Sequence, residues 1–298
     1  MHLGEHGMVT VVETGQYTHI GVSPISGALG AEISGVDLSQ TVDDATLGEI
    51  RRALLDHCVI FFRGQTLTPD RHKDFSRRFG TLNVHPFVGH VAGHPEIIPI
   101  VKEKDEKVNF GGGWHTDMSF LAEPPLGSVL YALETPAYGG DTLFASQYLA
   151  YDLLSPGMKQ MLGGLTAIHT AGMQYGVESE ASKNNAKRKS METKATEEAE
   201  TTVEHPVVRT HPETGRKALY VNEAFTLKFK GMSKRESRPL LQFLFEHATQ
   251  DAFTCRFRWE TGSLAFWDNR CTQHYALNDY HGQRREMHRV TVDGDRPF

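Results

Sequence analysis

The sequence predicts a mainly β fold, a sandwich or jelly roll with helices packed outside it. Two observations point there. Short apolar runs bounded by glycine, proline and other turn residues recur along the whole chain. Only a few stretches carry a helical period with a start signal, and no internal repeat overlies the pattern.

Residues 1–18 read as a loose lead-in and 19–298 as a single domain. From His19 to Leu38, apolar runs are broken by Gly27, Gly30 and Gly35, which gives strands and turns. Asp43 to His57 is predicted helical, with Leu47, Ile50 and Leu54 on one face. Val59-Ile60-Phe61-Phe62 is a short buried strand. At Thr68-Pro69-Asp70 a second helix starts: threonine caps, proline fits the first turn, and aspartate meets the positive end. It runs to about Phe79 and stops at Gly80. Thr81 to Gly113 is rich in His, Gly and Pro and reads as loop. Its Gly111-Gly112-Gly113 lacks the lysine of a phosphate loop, and no helix follows, so it reads as a flexible approach to the next segment.

Gly127 to Leu133 and Asp141 to Ala145 are predicted strands, Ser155-Pro156 opens a helix, and Leu165 to His169 is a further strand. Then composition shifts. Glu178 to Thr202 is polar and charged with almost no apolar residues, and reads as a mobile insertion at about 176–203, either a solvated loop or a lid. Val207-Val208 and Lys217 to Val221 are strand-like. Ser233 and Glu236 form a capping box for a helix that buries Leu240, Leu241, Leu244 and Phe245, with Pro239 expected to disturb its early turns. Phe253 to Trp259 and Ser263 to Trp267 alternate and predict a hairpin around Thr261-Gly262, and His288 to Val292 is a final strand.

Composition removes several function classes. Of 298 residues, 39% are hydrophobic and 23% charged, which suits a globular chain with a sizeable core. A net charge of −6 argues against a nucleic-acid binder or a membrane-surface protein. No apolar run approaches the ~20 residues of a membrane span, and no secretory signal is visible. Cys58, Cys255 and Cys271 are odd in number and scattered, with no C-x-x-C, so the expected setting is a reducing cytoplasm.

Trp114-His115-Thr116-Asp117 carries the chemistry. Residues two apart in an extended segment point to one face, so His115 and Asp117 can reach the same point. They would make two thirds of the 2-His-1-carboxylate triad that holds Fe(II) with open positions. With 16 histidines, roughly one H-x-D arises by chance, so the motif alone is weak. His274 is the candidate third ligand, although an isolated distant histidine is more often a core or surface residue. Arg285 and Arg289 follow; an arginine fork binds a carboxylate bidentately, while the bland alternative is a solvated basic strand edge.

Taken together these residues resemble the taurine dioxygenase family of Fe(II)- and 2-oxoglutarate-dependent oxygenases, over roughly residues 19 to 298. The resemblance rests on Trp114-His115-Thr116-Asp117, Gly139-Gly140-Asp141-Thr142-Leu143, His205-Pro206-Val207-Val208-Arg209 and Tyr220-Val221-Asn222-Glu223. It rests also on Trp267-Asp268-Asn269-Arg270 through His274, Arg285 and His288-Arg289. It implies a double-stranded β-helix (jelly roll). It implies that His115, Asp117 and His274 ligate Fe(II), and that Thr142 and Arg285 hold the distal carboxylate of the co-substrate 2-oxoglutarate. Arg289 would face the co-substrate's C1 carboxylate and the substrate's anionic group, with His85, Tyr175 and Phe225 lining the substrate pocket. O2 would be consumed and succinate and CO2 released. A homo-oligomer, dimer or tetramer, is the family expectation.

The chain departs from the taurine-oxidising pattern at the substrate end. Gly111 stands where an asparagine is expected, Phe87 and Val88 where a tyrosine is expected, and Gln174-Tyr175 where a serine and a phenylalanine are expected. The anion-holding set, His85 and Arg289, remains, while the partners of taurine's amino end do not. A pocket without partners for an ammonium rejects it. The expected substrate is therefore another small anion: a sulfonate, a sulfate ester or a carboxylate such as a phenoxyalkanoate. Two alternatives stay open here: a biosynthetic relative catalysing another oxidation such as desaturation, and a zinc hydrolase or metal-binding module using the same three ligands.

Overall fold

The computed structural model describes residues 17–298. The expected lead-in lies outside the described residues up to residue 16. Fifteen strands are present among the described residues: β1 (Gly21–Pro24), β2 (Ala31–Ser34), β3 (Val59–Phe62), β4 (Ile97–Lys102), β5 (Gly127–Glu134), β6 (Thr142–Ser146), β7 (Thr166–Thr170), β8 (Thr202–Pro206), β9 (Val208–Thr210), β10 (Lys217–Leu219), β11 (Thr226–Phe229), β12 (Thr254–Phe257), β13 (Leu264–Asp268), β14 (Thr272–Ala276) and β15 (Arg285–Val292). The helices are α1 (Asp44–His57), α2 (Pro69–Arg77), α3 (Gln147–Asp152), α4 (Pro156–Leu162), α5 (Gly172–Tyr175), α6 (Glu180–Asn185) and α7 (Lys234–Ala248).

A seven-stranded sheet in the order β1-β2-β3-β13-β5-β15-β4 forms one wall. A three-stranded sheet, β12-β6-β14, forms the wall facing it. The alternation of side chains along each strand decides what lies on either side. On β3, Phe61 points inward, stacking on Phe257 of β12 with ring centroids 3.9 Å apart. Its neighbours Ile60 and Phe62 point outward and pack with Ile50, Ala53 and Leu54 of α1 and Phe75 of α2. The large sheet is thus covered on both faces, which is why β3 and β13 are buried at every position. A third cluster seats Leu241, Leu244 and Ala248 of α7 against β7, β10 and β11. This is the mainly β, jelly-roll fold with flanking helices that the sequence predicts. No helix among the described residues is long and apolar enough to cross a membrane.

Helix starts follow their local chemistry. Asp43, Thr68, Ser155 and Ser233 each accept a backbone N–H from the first turn. Ser233 and Glu236 close the capping box, and α7 continues through Pro239 without a break.

The predicted hairpin at Thr261-Gly262 does not form. β12 pairs with β6, while β13 pairs with β3 and β5, so the chain crosses from one wall to the other at this point. Alternation reports a half-buried strand but not its partner, and both strands do present a buried face. The 81–113 loop contains β4, and Pro99 is tolerated there because β4 is an edge strand. β14 is a strand of mostly polar residues facing the interior and carries no apolar signal.

Candidate active site

Trp114–Asp117 is not a regular strand. His115 pairs with His274 in an isolated antiparallel bridge, with N–H to carbonyl distances of 3.1 and 2.9 Å in the two directions. This brings their rings to 4.1 Å between centroids. His115 Nε2 lies 3.7 Å and His274 Nε2 lies 4.0 Å from Asp117 Oδ1. Both separations are short enough for one ion ~2.1 Å from each atom, since two such ligand atoms can stand up to ~4.2 Å apart.

The protonation states suit a metal. His115 Nδ1–H donates to the Gly113 carbonyl at 2.8 Å, which leaves the Nε2 lone pair facing Asp117. Burial pushes the pKa of both histidines below the ordinary value, so both rings are neutral. Burial opposes the charge on Asp117, but the Arg289 guanidinium and the Ser128 hydroxyl outweigh it and hold the carboxyl well below its usual range. Two neutral imidazoles and one carboxylate are the donor set of a facial triad.

Behind the triad, a recess is lined by Ile100, Leu130, Thr142, Arg285 and Arg289, among others. Arg285 is buried, and its Nε and Nη2 have no partner within the protein. Thr142 Oγ1 accepts from Trp259 Nε1 at 2.9 Å, so its own proton is free to be donated into the recess. Such unpaired buried donors are costly unless an anion meets them. A carboxylate fits, as the 2-oxoglutarate expectation requires. The double glycine lets the chain pass Arg285: Gly140 has φ +70°, and a Cβ there would meet Pro136, Tyr280 and Arg285.

In front of the triad lies a cavity of about 420 Å³. His85, Tyr175, Phe225 and Arg289 all line it, as the sequence expects. His85 Nδ1 accepts the Phe87 N–H at 3.1 Å, so the neutral ring carries its proton on Nε2. Burial, then Arg289, pushes the His85 pKa down to about 3, so it serves as an uncharged donor. Arg289 Nη1 donates to Asp117 Oδ1 at 2.8 Å, and its Nε is unpaired. Phe225 packs on Phe120 with ring centroids 5.0 Å apart. Among the described residues, Asp117 is the only acid in the cavity lining.

Gly111 does more than lend flexibility to the approach. Its φ is +75°, and an added Cβ would lie 3.3 Å from His115 Cε1. Its absent side chain leaves room for the ligand ring.

The 176–203 segment contains α6 and a 3-10 turn at Glu197–Glu200, and it contributes Ala181, Asn184 and Asn185 to the cavity wall. Its polar composition hides the contacts that seat it. Arg188 and Met191 are buried, and Arg188 Nη2 donates to the Val101 carbonyl at 2.7 Å. The Glu106 carboxylate accepts from Lys189 N, Ser190 N and Ser190 Oγ, at 2.8, 3.1 and 2.6 Å.

Sequence reasoning missed Trp259 and Ser128. Trp259 gives no signal in the sequence, because its role depends on a strand pairing. Ser128 does: it is the one serine in a mostly apolar run, and a buried hydroxyl needs a partner. Elsewhere, the cluster of His211, Asp268 and Cys271 offers metal-ligand atoms, but Asp268 is already engaged by Arg270 at 2.7 and 2.9 Å and His211 at 3.0 Å.

Comparison with known proteins agrees with this geometry. Residues 21–291 match the family described as taurine catabolism dioxygenase TauD, TfdA family. An alpha-ketoglutarate-dependent sulfate ester dioxygenase of Pseudomonas putida is 38% identical, covering 93% of this chain and 90% of its own. An alpha-ketoglutarate-dependent 2,4-dichlorophenoxyacetate dioxygenase of Cupriavidus pinatubonensis is 32% identical, covering 92% and 97%. A solved taurine dioxygenase from Burkholderia xenovorans superposes with a TM-score of 0.77 at 39% identity, covering 94% and 93%. These matches set aside the zinc hydrolase and the binding module. With the triad, the carboxylate recess and a match over nearly its whole length, the chain belongs to the TauD/TfdA family and is an Fe(II)- and 2-oxoglutarate-dependent dioxygenase.

Proposed function

We propose that this dioxygenase oxidises a C–H bond in a small organic anion that bears no ammonium group: a sulfate ester, a sulfonate, or a carboxylate such as a phenoxyalkanoate. The observation that carries this is the charge layout of the cavity of about 420 Å³, where Arg289 and the His85 donor face an interior whose only acid among the described residues is Asp117. Once Asp117 serves a metal, no carboxylate among the described lining residues is left to pair with an ammonium. Taurine is therefore disfavoured, by roughly the penalty of burying an unpaired charge.

In this reading His115, Asp117 and His274 hold Fe(II). When bound, the iron with 2-oxoglutarate activates O2 for C–H oxidation, and succinate and CO2 are released. Arg285 and Thr142 anchor the distal carboxylate of 2-oxoglutarate. Arg289 and His85 hold the substrate's anionic head, while Phe225 and Tyr175 wall in its carbon skeleton and exclude water. The 176–203 segment acts as a lid that opens for exchange. Three free, buried thiols support a reducing cytoplasmic setting, and a dimer or tetramer is expected by light scattering.

The test is succinate formation with Fe(II), ascorbate, 2-oxoglutarate and O2 across taurine, alkylsulfonates, alkyl sulfates and aryloxyalkanoates. A strong response to an ammonium-free anion is expected. Taurine as the best substrate of the panel would overturn the proposal.

A further inference from the structure

Asp117 is held at both oxygens by different groups. Oδ1 faces His115 Nε2 and His274 Nε2 and accepts from Arg289 Nη1. Oδ2 accepts from Ser128 Oγ at 2.7 Å. Ser128 is fully buried on β5, directly opposite Thr291 of β15, whose hydroxyl lies 3.4 Å from Ser128 Oγ. The Asp117 amide is also turned toward Asn269 Oδ1, at 3.4 Å. A serine at a fully buried position of the mostly apolar β5 has no packing advantage over alanine, and its hydroxyl must be satisfied once buried.

We propose that Ser128 is a positioning residue that fixes Asp117 as a one-oxygen ligand. It engages Oδ2 in a charge-assisted hydrogen bond and so leaves Oδ1 alone to the metal. The inference rests on the ligand assignment made above. Its consequence is coordinative. A carboxylate free to rotate can chelate an ion through both oxygens and occupy one more position. The co-substrate needs two positions and O2 a third, so a second aspartate contact competes with them. Ser128 carries no charge and lines neither the cavity nor the recess; it acts only through the orientation of Asp117.

The experiment compares wild type, Ser128→Ala and Asp117→Ala, each prepared metal-free. Mn(II) affinity is read by calorimetry, and the charge-transfer band of the anaerobic Fe(II) and 2-oxoglutarate complex is read by absorption. Loss of an outer hydrogen-bond partner of a metal ligand costs typically about 10- to 100-fold in affinity. Ser128→Ala is expected to weaken Mn(II) by about 10-fold or more and to shift or weaken the band. The thermal midpoint of the metal-free protein should change little, while its rise on adding Mn(II) shrinks. Asp117→Ala should lose Mn(II) binding altogether. If Asp117→Ala binds Mn(II) as wild type does, the ligand assignment is wrong. If Asp117→Ala loses binding while Ser128→Ala keeps both wild-type affinity and band, the assignment stands and the role of Ser128 is overturned.

Discussion

Arg285 is the residue on which the proposed co-substrate role of the recess depends. It is buried with two of its guanidinium nitrogens unpaired, and burial lowers its pKa, so the side chain is poised for an anionic partner. A hydrogen bond to a charged group contributes about 1.5–3 kcal/mol. Arg285→Ala should therefore weaken 2-oxoglutarate by roughly 10- to 100-fold in calorimetry with Mn(II) present. Unchanged affinity would remove Arg285 from that role. Gly111 gives a second test at this scale. Gly111→Ala adds left-handed strain of about 1–2 kcal/mol and pushes a methyl toward the His115 ring. Urea unfolding of the metal-free variant should show that loss, and Mn(II) binding should weaken as well.

How these residues announce themselves in the sequence depends on their spacing. His115 and Asp117 are readable because two residues suffice to aim both at one point. His274, Thr142 and Arg285 are readable only through ordered motifs, since their meeting is made by three different strands. Ser128 was open to the argument from buried hydroxyls, and Trp259 to none.

Among the elements, the 176–203 segment has the least usual hold. Glu106 fastens it through three donors of that segment, Lys189 N, Ser190 N and Ser190 Oγ. Glu106→Ala should speed amide hydrogen exchange at residues 189 and 190 while leaving the β5 amides slow. Equal protection in both proteins would show that the clamp is idle. Burial opposes the Glu106 charge, yet these donors lower its pKa to about 2 from an ordinary 4.5. The clamp is therefore complete above about pH 4.5 and is lost only as pH falls toward 2. The composition of this segment predicts weak burial because polar residues dominate it. The structure instead draws on the Glu106 carboxylate, in the loop after β4, and on buried Arg188, whose partner Val101 lies on β4. The misread hairpin has a similar origin: β12 and β13 each show the right period, but period carries no record of which wall a strand joins.

Across the whole molecule, buried neutral histidines set the acid limit. His72 Nε2 donates to the Val129 carbonyl at 3.1 Å, and burial pushes its pKa down to about 3. His205 donates to the Leu121 carbonyl at 3.0 Å, with its pKa pushed down to about 4, again by burial. Both take up protons more readily when unfolded, near 6.5. Their contribution is thus full above about pH 6.5 and is lost as pH falls through 5 toward the folded values. At pH 5 each should cost about 2 kcal/mol. Urea unfolding at pH 7 and pH 5 checks this, and a flat profile would contradict it.

The paired N–H···O bonds between His115 and His274 bear on how the protein acquires its ion. Two distant stretches of chain are stitched backbone to backbone at the point of coordination, so the ligands are assembled by folding rather than by the metal. Loading then becomes a matter of ligand exchange, with no refolding step on the way. A chelator should strip the site and leave the circular dichroism spectrum intact, and the emptied protein should accept Co(II) or Mn(II) in place of iron within the time of mixing.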